Sequence, residues 1–485
     1  MTQQRSDHPF SRYRPLIDDW DAFQAAIQRP LPTCIWTNTL RTTPARLQAL
    51  LAADGLPLEP VSWYPGAFTL PPDFGPGLHW QYLAGLYQVQ EEVALLPVVL
   101  LDPQPGERIL DLCAAPGNKT AQLAIALRNQ GTVVANDWNP GRMRAVRQTL
   151  DRLGLVNVSL TTVDGANYPK EAGLFDKVLV DVPCTGEGTC RKDPGVIERT
   201  GASFSNRMIG AQRALLRKAV QLCRPGGRIV YATCTFAPEE NEMVVDDILR
   251  ETGSHTLRLL PAEVPGFTTS PGITEWHGRA FDDSLRLTMR VWPHQNDTGG
   301  FFVAVVEKGV GRQRAVGSGQ PKVAWAVSSK QLAERERRVG MVSERFGIEP
   351  DRFDGYTIFR GSRRRVYVVN SDHWPPAQPA PDAVGLVFMQ TSGKYPKLTT
   401  AAAMLFGPWA RRNVIDLEAE QAEAYLSRQD FALTAGQARY CTGTGYVLLR
   451  YQNFVLGVGV YRLRTDSAFV ESLYPKAWSR SGVAV

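Results

Sequence analysis

Apolar positions along this chain fall into three regimes. Over the first 95 residues, short runs of helical and strand period are broken by prolines, with Trp36, Trp63, Tyr64, Trp80, Tyr82 and Tyr87 spread among them. That stretch carries no catalytic type of run and reads as an accessory domain. From about Leu100, strand and helix periods alternate. RILDLCA (Arg108 to Ala114) enters a Pro-Gly turn and a helical stretch closed by Gly131; TVVANDW ends at Asp137, and Asn139-Pro140 opens a helix reaching Gly154. VSLTTVD ends at Asp164, and DKVLVDVP runs from Asp176 to Pro183. A helix near Gln212 to Cys223 then leads through Pro-Gly-Gly into GRIVYATCT, a strand that closes at Cys234. Such alternation predicts an α/β fold, a doubly wound Rossmann-like parallel sheet that binds ligands at the carboxyl ends of its strands.

Near Gly309 the pattern dissolves into Gly, Gln, Arg and Ser, which predicts a linker over 309–329. A helix, KQLAERERRVGMVSERFG, opens the third regime, and strand-rich segments follow: YTIFR, RVYVV, GLVFM and GYVLLRYQNFVLGVGVYRLR. The organisation expected is an N-terminal accessory domain (1–95), a catalytic domain (96–308), the linker, and a helical adaptor with a small β-rich domain (330–485). A chain of 485 residues agrees with several domains.

Composition narrows the function classes. No window approaches the roughly 18–20 apolar residues of a membrane span, and the start, MTQQRSDHPFSRYRP, has no apolar core behind its charges. The expected compartment is the cytoplasm, with no membrane partner. Seven scattered cysteines argue against a disulfide framework. Cys184 and Cys190 are too far apart for a zinc knuckle and no histidine accompanies them, so no metal is expected. The formal charge of +6 agrees with a polyanionic partner without requiring one. Arg360, Arg363, Arg364 and Arg365 crowd one strand-like stretch, either as an edge guarded by charge or as a phosphate-contacting patch.

The turn after the first catalytic strand, CAAPGNKT (Cys113, Ala114, Ala115, Pro116, Gly117, Asn118, Lys119, Thr120), is built of small residues. The backbone can therefore approach a ligand closely, with helix amides ready to meet a carboxylate. Asp137, Asp164 and Asp181 end the next three strands. One strand-end aspartate alone is commonly a helix cap; three around such a turn point to a nucleoside, with Asp137 on the ribose and Asp164 near the base. Free cysteine is mostly a small hydrophobe, the reading for Cys34, Cys441 and Cys223, the last placed in an apolar helix. Cys184 and Cys234 differ, because both fall at carboxyl ends of sheet strands.

CAAPGNKT, DVPCTGEG and TCT, in this order and each at a strand end, resemble the marks of the RNA cytosine-5 methyltransferases of the Nop/Sun type. GTCRKDPG and PHQNDTGGFFVAVVEK extend the likeness over about Leu86 to Lys308, with Asn118 standing where a second glycine is frequent. The resemblance implies S-adenosyl-L-methionine as cofactor, held by Cys113 to Lys119 with Asp137, Asp164 and Asp181, and RNA as partner, with no obligatory protein partner. It also implies catalytic roles: Cys234 adds to carbon 6 of cytosine, Cys184 assists the later elimination, Asp181 contacts the pyrimidine edge, and Lys119 lies beside it. A free thiol has a pKa of about 8.5, so Cys234 needs electropositive help, which Lys119 could supply. Arg191 and Lys192 are candidates for holding a base flipped from its stack, against the alternative of ordinary surface charge. The C-terminal region resembles the small PUA-like β-barrels of ribosomal RNA members, which favours ribosomal over transfer RNA. A DNA methyltransferase, a small-molecule methyltransferase and an inactive RNA-binding assembly factor are the competing classes.

Overall fold

The computed structural model describes residues 8–71, 74–199, 202–253, 256–310, 329–362, 364–391, 397–464, 467–480 and 483–485. Nearly all of the expected linker, 311–328, lies outside them.

The N-terminal region begins with helix α1 (Trp20–Ile27), whose first turn is capped by the Asp19 carboxylate accepting from the Ala22 amide. Strand β1 (Thr33–Thr37) follows, then helix α2 (Pro44–Ala53), opened by a Thr43 cap and Pro44 at the first helical position. Strands β2 (Glu59–Pro60) and β3 (Ala67–Leu70), helix α3 (Trp80–Leu83) and strand β4 (Tyr87–Val89) complete an antiparallel sheet in the order β2-β3-β1-β4. Phe10, Tyr13 and Phe23 pack on Phe236 and Trp292 of the following region, so α1 lies against the loops of the central sheet.

Helix α4 (Leu96–Leu101) leads into the central sheet. Its elements are β5 (Arg108–Asp111), α5 (Asn118–Ala126), β6 (Thr132–Asn136), α6 (Pro140–Leu153), β7 (Val158–Thr161), β8 (Phe175–Asp181), α7 (Ala202–Leu222), β9 (Cys223–Thr233) and α8 (Glu242–Thr252). The five strands are parallel in the order β9-β8-β5-β6-β7. The chain winds outward from β5 through β6 and β7, then returns to the other side of β5 for β8 and β9. The switch point therefore lies between β5 and β8, where a doubly wound sheet opens its ligand crevice. Core strands such as β5 and β6 are buried along their whole length because helices cover both faces.

The sheet is mixed at its margins. Phe301–Lys308 pairs antiparallel with β9, Met289–Val291 pairs antiparallel with that strand, and Ala383–Val384, from far along the chain, pairs antiparallel with β7. Two local expectations need correction. Cys223 is the first residue of β9 and not part of a helix, and α7 begins about ten residues earlier than the apolar period suggested. A shift in the β8–β9 register lets Cys223 pair with Phe175 ahead of the Pro225-Gly226-Gly227 bend, so the strand starts before the turn expected to precede it.

From Ser329 onward, the helix Ser329–Phe346 precedes two sheets. Four strands (Tyr356–Ser362, Arg365–Asn370, Leu386–Gln390, Lys397–Leu398) form the first. Val414–Asp416, Gly445–Tyr451, Phe454–Arg464, Ser467–Ser472 and Phe431–Ala432 form the second. Both share one apolar core with α2 and α3 of the N-terminal region. Trp80 packs edge-on to Tyr451 with ring centroids 5.1 Å apart, and the Tyr474 hydroxyl donates to the Leu83 carbonyl. His373 is buried between Ser159 of β7 and Thr132 of β6, and burial depresses its pKa to about 3. No helix among the described residues is long and apolar enough to cross a membrane.

Candidate active site

The turn from β5 to α5 sits at the switch point. Gly117 adopts φ +105°, and a Cβ there would lie 3.0 Å from the Val146 backbone of α6, so the closeness of helix and turn demands glycine. No side chain caps α5, which leaves its first amides available to a ligand. Asp137, one residue past β6, is buried; its carboxylate accepts from the Ala115 amide at 3.3 Å and the Asn139 amide at 3.0 Å, and pairs with Arg142 at 3.4 Å. Trp138 beside it has 68% of its surface exposed, a large ring that the strand pattern did not single out. Asp164 lies three residues beyond the end of β7, is exposed, and caps a short turn through the Ala166 amide. The capping alternative thus describes what its carboxylate does in this structure.

Asn118 occupies the position where the motif often has glycine. Its side chain turns outward, accepting from Gln88 Nε2 at 2.7 Å and donating to the Val89 carbonyl at 3.3 Å, and so ties the turn to β4. Under the turn, Asp111 accepts from Thr120 at 2.6 Å, and burial raises its pKa to about 7. Cys113 is kept a thiol by burial and by the surrounding carboxylates of Asp111, Asp181 and Asp137.

At the ends of β8 and β9 the second group converges. The parallel register Asp181↔Ala232 sets the two following loops side by side, with Cys184 Sγ 3.2 Å from Cys234 Sγ. Lys119 Nζ meets Asp181 Oδ2 at 2.7 Å and lies 5.5 Å from the Phe301 ring centroid. Burial opposes the lysine charge, but Asp181, Cys234 and Asp111 outweigh it, and its pKa sits above the ordinary value. The sulfur contact with Cys234, burial and the charge of Glu240 push the Cys184 thiol well up. Cys234 thus has a cation on one side and a protonated neighbour on the other.

Close backbone contacts hold these loops. The Gly188 amide donates to the Cys234 carbonyl and the Gly300 amide to the Gly188 carbonyl, each at 2.9 Å. A Cβ on Gly188 would fall 2.2 Å from the Gly300 carbonyl oxygen, which explains the glycines in both motif segments. Glu91 accepts from the Gly299 amide at 2.6 Å, and burial raises its pKa to about 7. Its segment, VQEEV, looks like a solvated helix start, so nothing in the pattern marked it.

One expected binding group is removed. Arg191 is fully buried, donates to the carbonyls of Arg29, Pro30 and Thr298, and pairs with Asp297 at 2.8 Å; it ties loops together and offers nothing to a base. Lys192 beside it is exposed. Arg360, Arg364 and Arg365 lie exposed on the hairpin of the first C-terminal sheet, and Arg363 falls outside the described residues. No cluster of three or more metal-ligating side chains occurs among the described residues.

Comparison with known proteins bears on this arrangement. The profile of 16S rRNA methyltransferase RsmB/F matches residues 98–307. A tRNA (cytosine(49)-C(5))-methyltransferase of Pyrococcus abyssi is 36% identical over 294 residues, which are 60% of this chain and 93% of that one. The chain belongs to the RsmB/F family. Its flanks match too: the N-terminal domain of 16S rRNA methyltransferase RsmF over residues 10–92, and the RsmF PUA domain over 412–479. A mouse 28S rRNA (cytosine-C(5))-methyltransferase is 38% identical over 59% of the chain. The Ribosomal RNA small subunit methyltransferase F of Escherichia coli is 36% identical over 61%. The chain spans about a third of the mouse protein's length and 60% of the bacterial one's. Among solved structures, a methyltransferase homologue from Pyrococcus horikoshii aligns with a TM-score of 0.52 at 34% identity, over 59% of this chain and 90% of that one. The RsmB/F core therefore coincides with the central sheet and both cysteine loops.

Proposed function

We propose that this protein transfers a methyl group from S-adenosylmethionine to carbon 5 of a cytosine in RNA, with Cys234 as the nucleophile. The observation that carries this reading is the thiol pair, 3.2 Å apart at the ends of adjacent strands and flanked by the Lys119–Asp181 ion pair. A small-molecule methyltransferase has no use for such a pair, and an inactive assembly factor has no reason to keep it.

The residues present fit the cofactor. The uncapped start of α5 suits a carboxylate, the small residues Ala114 to Gly117 admit a ligand against the backbone, and buried Asp137 has acceptor capacity left for ribose hydroxyls. We assign this binding to Cys113 to Lys119 and Asp137, with Asp164 and Asp181 at the rim. When bound, S-adenosylmethionine supplies an electrophilic methyl group on a sulfonium.

The chain's own groups do the rest. The Cys234 thiolate forms a bond to carbon 6, and the electron pair of the 5,6 double bond moves to carbon 5, which becomes nucleophilic. Lys119 stabilises the thiolate before attack. Asp181, oriented by Lys119, contacts the pyrimidine edge as charge develops there. After methylation, loss of the carbon 5 proton restores the double bond and expels the Cys234 thiolate, and the Cys184 thiol assists that departure.

Ribosomal RNA is the substrate class we favour. The supporting observations are the RsmF-type flanks and the arginine hairpin, neither of which belongs to the central sheet. Transfer RNA is the second reading, because the archaeal relative named for that substrate is covered almost whole. We assign the protein to the cytoplasm, where its seven free cysteines would stay reduced. Transfer of a labelled methyl group to total RNA, against DNA and buffer, tests the reaction: no label in RNA would sink it. Bisulfite sequencing of RNA from a strain lacking the protein distinguishes the substrates, since the protected cytosine that disappears lies in one molecule or the other.

A further inference from the structure

A buried polar layer lies directly behind the two thiols, and the reaction as described does not use it. Each cysteine is followed by a threonine, and the Thr185 and Thr235 hydroxyl oxygens are 2.7 Å apart. Glu240, in the loop before α8, accepts from the Thr185 hydroxyl at 2.7 Å, from the Thr185 amide at 3.0 Å and from Gln212 Nε2 at 2.8 Å. The Thr185 hydroxyl has one proton and gives it to Glu240; the single Thr235 proton is shared between the Thr185 oxygen at 2.7 Å and Glu187 Oε2 at 3.1 Å, where the Tyr13 hydroxyl also donates. Gln212 also donates to the Pro183 carbonyl, just before Cys184. All four side chains are buried.

Three donors converge on Glu240 and suit a carboxylate, although burial and the neighbouring charges of Glu239 and Glu187 raise its pKa. The titratable groups facing Cys184 are Cys234 and Tyr231 from the β9 side and Glu240 from the loop; Lys119 from α5 faces Cys234. The pair thus stands between an anion behind one sulfur and a cation beside the other.

We propose that Glu240 is a positioning residue: it clamps the Cys184 loop through Thr185 and, across the Thr185–Thr235 contact, the Cys234 loop, and its charge stands behind Cys184 while that of Lys119 stands beside Cys234. This division of labour rests on Cys234 being the nucleophile, as read above. Two chemically identical thiols 3.2 Å apart need some such asymmetry, because otherwise either could ionise and attack.

Glu240→Gln keeps the size and removes the charge. Iodoacetamide labelling of the full-length protein across a pH series, read peptide by peptide by mass spectrometry, follows each thiol separately. The Cys184 midpoint should move to lower pH. The kcat for methylation should fall roughly tenfold to a hundredfold, the loss expected for one charged hydrogen-bond centre, with KM for RNA nearly unchanged. Adduct surviving denaturation should rise toward the level of Cys184→Ala. A Cys184 midpoint that stays in place or moves to higher pH overturns the proposal whatever the activity does. Thr185→Val, which breaks the clamp and leaves the anion, carries the test if the glutamine variant does not fold: kcat should fall while the midpoint holds, and an unchanged kcat overturns the clamp. If the Cys184→Ala variant formed no RNA adduct at all, the nucleophile assignment would fall, and the thiol titration would still judge Glu240 by itself.

Discussion

Cys234 and Cys184 differ in surroundings more than in chemistry, and that difference yields an asymmetric prediction. Cys234→Ala should abolish methylation and leave no covalent adduct, whereas Cys184→Ala should accumulate a protein–RNA species on denaturing gels of labelled RNA. Adduct trapped by the opposite mutant would exchange the two roles. Glu91 makes a second prediction. Its folded pKa, about 7, stands above the ordinary 4.5. A group shifted this way contributes stability that is fully present below its unfolded pKa and is lost as pH rises through the folded one. Between about pH 5 and about pH 8 the wild type should therefore lose stability that Glu91→Gln retains. The Tm difference, mutant minus wild type, should rise across that window, and a difference flat with pH would refute the assignment. The cysteines were legible because their motifs are local. Glu91 and Glu240 were not, since an acidic residue reads as surface until the fold shows what buries it.

At the scale of elements, the β5–α5 turn is the most constrained piece. Gly117→Ala meets both a left-handed φ and the Val146 backbone at 3.0 Å. It should cost about 1–2 kcal/mol of stability and weaken cofactor binding, measured by calorimetry. Asn118→Gly should behave differently. It removes the contacts to Gln88 and Val89, so stability should drop by about 1 kcal/mol with cofactor affinity nearly unchanged. Equal losses of affinity in both variants would mean that the Asn118 side chain serves the ligand. The pattern located β5 to β9 to within a few residues, because buried parallel strands are continuous apolar runs. It misjudged the start of β9, because a strand that begins before a Pro-Gly-Gly bend leaves no periodic signal.

Over the whole molecule, the C-terminal sheets are bound into the rest by the shared core and by Ala383–Val384 on the edge of β7. A chain cut after residue 308 would expose α2, α3 and that edge, and it should aggregate or unfold at lower temperature than the full chain; equal thermal stability would contradict the shared core. The exposed hairpin arginines belong to this scale as well. Arg364→Ala should weaken RNA binding and lower the slope of log affinity against log salt by about one. An unchanged slope would return the cluster to edge protection.

Local pattern was enough for the approximate strand positions, the small-residue turn, the two candidate cysteines and the likeness to a methyltransferase family, because each rests on residues near one another in the chain. Long-range pairing and burial supplied the rest. Strand order set the crevice between β5 and β8. Parallel pairing of β8 with β9 brought Cys184 to Cys234, fifty residues apart in sequence. Burial turned Arg191 from a candidate contact into a tie between loops, and the fold set the Glu240 carboxyl group against Thr185, next to Cys184. Long-range pairing and the loss of water around a charge are properties of the assembled chain, and local pattern carries no record of either.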